Sequence, residues 1–218
     1  MKRWLFVWML FPGITMLSNG QEKGKNAFEI TLNPAALFDA SAGSLFQMPY
    51  LKARFFLQED LAFSMGLGMN FNSGTSHPFN SNENIEKNTA FEFSLSPGVE
   101  KHLGSGRFSP YLGTALTLGW RTSGGKYIAG TTHITTHNIW TNGNYPAYFE
   151  LGLSGLAGCD YYVTDNFYLG FEFSPGFSYT RYLEQERNNS GTSVTTPPSS
   201  FVNFSLFSSS GLRAGIRF

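Results

Sequence analysis

The residues with chemical reach in this chain are four histidines, His77, His102, His133 and His137, one cysteine, Cys159, and charged residues set singly into apolar stretches. His133 and His137 stand four apart, a spacing that brings two imidazoles to one metal on a helix. Gly and Thr crowd that segment, so both are expected in a loop. His102, beside Glu100 at a strand end, is expected to make an interfacial hydrogen bond. Ile134-Thr135 follows His133, which leaves no Ser–His pairing for acyl chemistry. A single Cys excludes a disulfide framework and a Cys-rich zinc site, and Cys159 is expected to pack as a small apolar group. No phosphate loop or dinucleotide signature occurs. The expectation is a protein that is not an enzyme, with no catalytic, cofactor-binding or metal site and no cofactor.

The composition around these residues is unusual. Of 218 residues, 41% are hydrophobic and 17% aromatic, but only 14% are charged, well below the roughly 25% of soluble domains. Lys plus Arg equals Asp plus Glu, so there is no basic field and no nucleic-acid partner is expected. Residues 1–20 read as a signal peptide that is removed: Met1-Lys2-Arg3 is the positive start, Trp4 to Phe11 the apolar run, and Ser18-Asn19-Gly20 the small residues before Gln21. Residues 21–218 are then one domain.

That domain alternates with period two. From Leu61 to Phe71 the odd positions are Leu, Phe, Met, Leu, Met and Phe, while the even ones are Ala, Ser, Gly, Gly and Asn. Phe167, Leu169, Phe171, Phe173, Phe177 and Tyr179 repeat the pattern. Side chains alternate across a strand, so each strand has one bulky apolar face and one small or polar face. Eight strands are expected, at about 26–36, 48–58, 61–72, 89–102, 107–121, 146–163, 166–181 and 200–218. Short links at Glu59-Asp60, Leu103 to Gly106 and Thr164-Asp165 alternate with long polar loops at 37–47, 73–88, 122–145 and 182–199. The bulky faces would overfill an eight-stranded interior, so they are placed in lipid. The fold expected is all-β: a closed antiparallel eight-stranded up-and-down transmembrane β-barrel in a bacterial outer membrane. Its short turns and both termini are expected in the periplasm and its long loops outside the cell. Tyr161, Tyr162 and Phe167 near one turn, and Trp120, Tyr148 and Tyr179 near the loops, are expected to form the aromatic girdles.

Parity then assigns charges to the lumen. Glu29, Lys52, Arg54, Glu92, Arg121, Glu150, Glu172 and Arg213 point inward, four of each sign, with an ion-pair cluster of Glu29, Arg54 and Arg213 near the periplasmic end and Glu172 next to Arg213. Pro97 and Pro175, each between Ser and Gly, remove a ladder donor and predict a bulge or kink. In loop 122–145, Tyr127, Ile128, Ile139, Trp140 and Tyr145 are a candidate recognition surface or the inner side of a lid over the barrel mouth.

The stretches Tyr50 to Phe63, Ser109 to Ala115 and Tyr161 to Glu172 resemble the strand-turn-strand segments of small eight-stranded outer-membrane barrels of the OmpA/OmpX type. The ending, with Leu212, Ala214, Ile216 and terminal Phe218 alternating, resembles the signal that the barrel-assembly machinery reads in that family. The peptidoglycan-binding domain that follows the barrel in full-length OmpA-like proteins has no counterpart, so a cell-wall anchoring role is not expected. The partners expected are outer-membrane lipid and lipopolysaccharide, the assembly machinery during biogenesis, and a protein partner in a larger complex. The role expected is a plugged, porin-like barrel that displays surface loops or serves as an accessory subunit of an uptake or secretion complex. The alternative is a narrow channel for ions or small or apolar solutes.

Overall fold

A strand with one bulky apolar face and one small face can close on itself only with the small face inside. In the computed structural model the chain does so. Residues 26–32, 51–78, 84–104, 107–206 and 211–218 are described. The expected signal peptide, the expected loop 37–47 and parts of the expected first two strands lie outside the described residues. Thirteen strands follow in order: β1 (Ala27–Leu32), β2 (Leu51–Phe56), β3 (Leu61–Ser76), β4 (Ile85–His102), β5 (Phe108–Ala129), β6 (Thr132–His137), β7 (Tyr148–Tyr162), β8 (Phe167–Phe173), β9 (Gly176–Tyr182), β10 (Gln185–Asn189), β11 (Thr192–Thr196), β12 (Ser199–Ser205) and β13 (Gly211–Arg217).

The barrel wall runs β1, β2, β3, β4, β5, β7, then β8 continued by β9, then β12 continued by β13. It closes where β13 pairs antiparallel with β1 through Phe28↔Ile216 and Ile30↔Ala214. Eight antiparallel spans result, and no helix among the described residues is long and apolar enough to cross a membrane. Phe71, Leu112, Leu118, Leu153, Phe171 and Phe177 are exposed on the outer wall, while Ala62, Ser64, Ser96 and Tyr168 are buried inside it. Leu212, Ile216 and Phe218 also face outward. The terminal Phe218 exchanges backbone hydrogen bonds with Asn26 and stacks on Phe28 at 6.4 Å, so the end of the chain sits on the closing seam.

Several expectations are corrected. Segments 122–145 and 182–199 are not simply loops. The far end of β5 pairs with β6, β6 with β10, and β10 with β11, giving a four-stranded sheet beyond the barrel. The apolar alternation of the wall is absent there, since β10 reads Gln-Glu-Arg-Asn-Asn and β11 Thr-Ser-Val-Thr-Thr. Backbone pairing and β-branched Thr carry it instead. The strand β3 also continues to Ser76, and β4 begins at Ile85, inside the expected loop 73–88. The expected bulge or kink is absent at Pro97, where β4 runs on unbroken, whereas at Pro175 the strand is interrupted between β8 and β9. Leu95↔Leu118 and Gly98↔Ala115 keep one register across Pro97, and Ala157↔Phe173 and Ser154↔Gly176 keep one across Pro175. Tyr148 and Tyr162 do not join the girdles. They share the inward parity of Glu150, and Tyr162 is buried, whereas Tyr161, Phe167, Trp120 and Tyr179 face outward.

Candidate functional site

The lumen is built in two tiers. At the end of the short turns, Glu29 comes from β1, Lys52 and Arg54 from β2, Glu100 from β4, Asp160 from β7, Glu172 from β8 and Arg213 from β13. All seven are at most 3% exposed. Their mutual positions follow from register, since Glu29 stands opposite Lys52 on one side and Gly215 on the other. Lys52 Nζ lies 2.5 Å from Glu100 Oε1, 2.8 Å from Glu172 Oε2 and 3.8 Å from Glu29 Oε1. Arg54 Nη1 donates to Asp160 Oδ2 at 2.5 Å and stands 3.5 Å from Glu29 Oε2. Its Nε is 2.7 Å from Glu100 Oε2 in an off-line approach, an ion contact without a linear hydrogen bond. Arg213 donates to Glu29 Oε1 at 2.7 Å and to Asp160 Oδ1 at 2.9 Å, and reaches Glu172 Oε2 at 3.4 Å.

Two tyrosines complete this lattice. Tyr111 Oη donates to Glu172 at 2.6 Å and Tyr168 Oη to Glu29 at 2.9 Å, while the Arg54 guanidinium lies 4.8 Å from the Tyr111 ring and 5.8 Å from the Tyr168 ring. Glycine makes room for both rings. A Cβ at Gly158 would run into the Tyr111 hydroxyl, and one at Gly215 would run into the Tyr168 ring. Four carboxylates face three cations, and the two phenol donors spread the excess negative charge over neutral hydrogen bonds. Buried ions survive only under such mutual pairing.

The second tier stands toward the long connections. Arg121 places Nη2 at 2.6 Å and Nε at 3.1 Å from Glu92 Oε2, and Tyr148 Oη donates to Glu92 Oε1 at 2.8 Å. The Arg121 guanidinium lies 4.6 Å from the Tyr148 ring and 5.4 Å from that of Tyr145. Between the tiers is a cavity of about 320 Å³ walled by Ser94, Ser96, Thr117, Ser154, Ser178 and Asn203. Glu150 faces it and accepts from Thr180 Oγ1 at 3.1 Å.

Residues 138–147, between β6 and β7, fold onto the mouth. Asn138 N donates to Ser123 O at 2.9 Å, Trp140 Nε1 to Thr89 O at 2.9 Å and Thr141 N to Asn88 Oδ1 at 3.0 Å. Trp140 stacks on Tyr145 at 4.1 Å. Asn138 and Tyr145 take positive φ of 63° and 51°, so the segment turns sharply at both ends. Thr141 Oγ1 and Asn88 Nδ2 donate to Glu86, and these hydrogen bonds, that from Thr141 foremost, hold its carboxyl below the usual range.

The expected charges therefore divide. Glu29, Lys52, Arg54, Glu172 and Arg213 meet in one lattice, Glu92 and Arg121 form a separate pair, and Glu150 stands alone in the cavity. Among the described residues the expected balance of four against four is corrected to six acids against four bases, because Glu100 and Asp160 are also inside. Both share parity with Glu92 and Glu150, so alternation carried to the strand ends would have found them. His102 is likewise not interfacial: it is buried, with Nδ1 2.9 Å from Ser109 Oγ. Tyr127, Ile128, Ile139, Trp140 and Tyr145 are all half-buried. The first two lie on the far end of β5, and the last three belong to the segment across the mouth. His133 and His137 lie exposed on β6, and no metal-binding group of residues occurs among the described residues.

A sequence model of the OmpA-OmpF-like porin family matches residues 38–218. No curated protein matches the chain.

Proposed function

The chain belongs to the OmpA-OmpF-like porin family, and from that premise we propose that it is a closed outer-membrane barrel whose work is done by its surface and not by passage through its lumen. The seven-charge lattice carries this reading. It crosses the whole bore, its ions are bonded to one another, and opening a water path requires separating pairs already at 2.5–2.9 Å. An eight-stranded barrel leaves room for little beyond such side chains. The cavity above the lattice is then a wet dead end, lidded by residues 138–147.

With conduction closed off, the four-stranded sheet of β5, β6, β10 and β11 is the part that meets other molecules. We place it on the outside of the cell, with the short turns and both termini in the periplasm, as an interaction module or accessory subunit. Lipid and lipopolysaccharide surround the apolar wall, and the alternating end at Leu212, Ala214, Ile216 and Phe218 serves the assembly machinery.

Planar-bilayer recording of the purified protein tests this. The wild type should pass no steady current, and Glu29→Ala and Arg54→Ala should each change either folding or conductance. Steady current in the wild type, with both variants indistinguishable from it, would move the assignment to a narrow channel.

A further inference from the structure

We propose that the turn-side mouth of the barrel holds an oxyanion site formed by Arg107 and Arg217. The two arginines, with Tyr162, Thr164 and Asp165, wall a pocket of about 230 Å³. It is separate from the charge lattice: Tyr162 packs on Tyr168 at 5.3 Å, and these two rings stand between the pocket and the lattice carboxylates. The site is therefore independent of whether the lumen conducts.

Arg217 is positioned but not satisfied. Its strand end is fixed by a 2.7 Å hydrogen bond from its backbone N to Asn166 O, and its guanidinium lies 4.5 Å from the Tyr162 ring. Nη2 donates to the Asp165 carbonyl at a long 3.3 Å, the guanidinium also hydrogen-bonds the Tyr162 side chain, and Nε is buried with no acceptor. A buried charged donor left without a partner is costly. Among the described residues neither Arg107 nor Arg217 forms an ion pair, although the Asp165 carboxylate lines the same pocket. Arg107 is tied in by its carbonyl, which accepts from Tyr162 N at 2.8 Å.

Two arginine side chains lining one pocket beside a hydroxyl and a phenol match a tetrahedral oxyanion, whose several oxygens accept from both guanidinium groups. The ligand class is a phosphate, free or as a lipid headgroup. The volume exceeds one such group, which leaves space for an ester substituent.

The test uses the full-length mature protein folded in maltoside micelles, which bring no phosphate. The arginine Nε–H resonances are followed by NMR while inorganic phosphate, or in a parallel arm a short-chain phosphatidic acid, is titrated at constant ionic strength. The Arg217 Nε–H should shift saturably, and Arg217→Lys and Arg107→Gln should each weaken binding about tenfold, the loss of one charge-assisted hydrogen bond. Response to inorganic phosphate marks a site for free oxyanions; response to the lipid alone marks a headgroup site, and either supports the proposal. Silence in both arms overturns it, as does an equal shift with chloride or an unweakened titration in both variants. Arg107 is exposed, so Arg107→Gln keeps the test readable if the Arg217 variant does not fold.

Discussion

Replacing Arg54 by Ala removes the cation that three lattice carboxylates share. At an effective dielectric of about 20, each contact, at 2.5, 2.7 and 3.5 Å, carries roughly 5–7 kcal/mol of gross attraction. Most of that offsets desolvation of the ions and the mutual repulsion of Glu29, Glu100, Asp160 and Glu172. The net expectation is therefore the roughly 3–5 kcal/mol typical of breaking a buried pair from one side. In Arg54→Ala, four carboxylates face only Lys52 and Arg213. The assay is reversible urea unfolding from lipid vesicles, read by tryptophan fluorescence, which reports Trp120 on the wall and Trp140 on the mouth segment. The double variant Arg54→Ala/Glu100→Ala removes one charge of each sign and should recover part of the loss, with a coupling of about 1–3 kcal/mol. An Arg54→Ala barrel within about 0.5 kcal/mol of wild type would refute the reasoning, since it would mean that the lattice is hydrated and its ions are not dependent on one another.

Three further outcomes follow from the same geometry. Gly215→Ala drives a methyl into the Tyr168 ring and should destabilise the barrel by about 1–3 kcal/mol in the same unfolding assay, unless the ring leaves Glu29. Trp140→Ala removes the stack on Tyr145 and the hydrogen bond to Thr89, so a cysteine placed at Ser178 in the cavity should react faster with a water-soluble thiol reagent than in the closed wild type. Glu86 has its folded pKa lowered by Thr141 and Asn88, so its contribution to docking of the mouth segment is present above its unfolded value of about 4.3 and lost as pH falls through the lower folded value. Labelling of the same cysteine should therefore accelerate on acidification below about pH 4, and Glu86→Gln should blunt that dependence.

The wall of this protein is legible because a strand's two faces are fixed by parity alone. Leu61 to Phe71 and Phe167 to Tyr179 state which side meets lipid, and the same count puts Glu29, Lys52, Arg54, Glu172 and Arg213 inside. The terminal alternation to Phe218 is equally local. What parity leaves open is depth and partnership. Glu100 and Asp160 have the inward parity, but only the stagger of β4 and β7 around the barrel brings them to the level of Arg54, 46 and 106 residues away in sequence. Register decides which charges touch, and register is summed over every neighbouring pair of strands. The four-stranded sheet beyond the barrel escaped the sequence for a different reason. Lying beyond the apolar wall it needs no apolar alternation, so Thr132–His137 and Thr192–Thr196 carry no hydrophobic signal. Backbone pairing between segments some fifty residues apart holds that sheet, and the oxyanion pocket likewise exists only because closure sets Arg217 at the chain's end beside Arg107 and Tyr162.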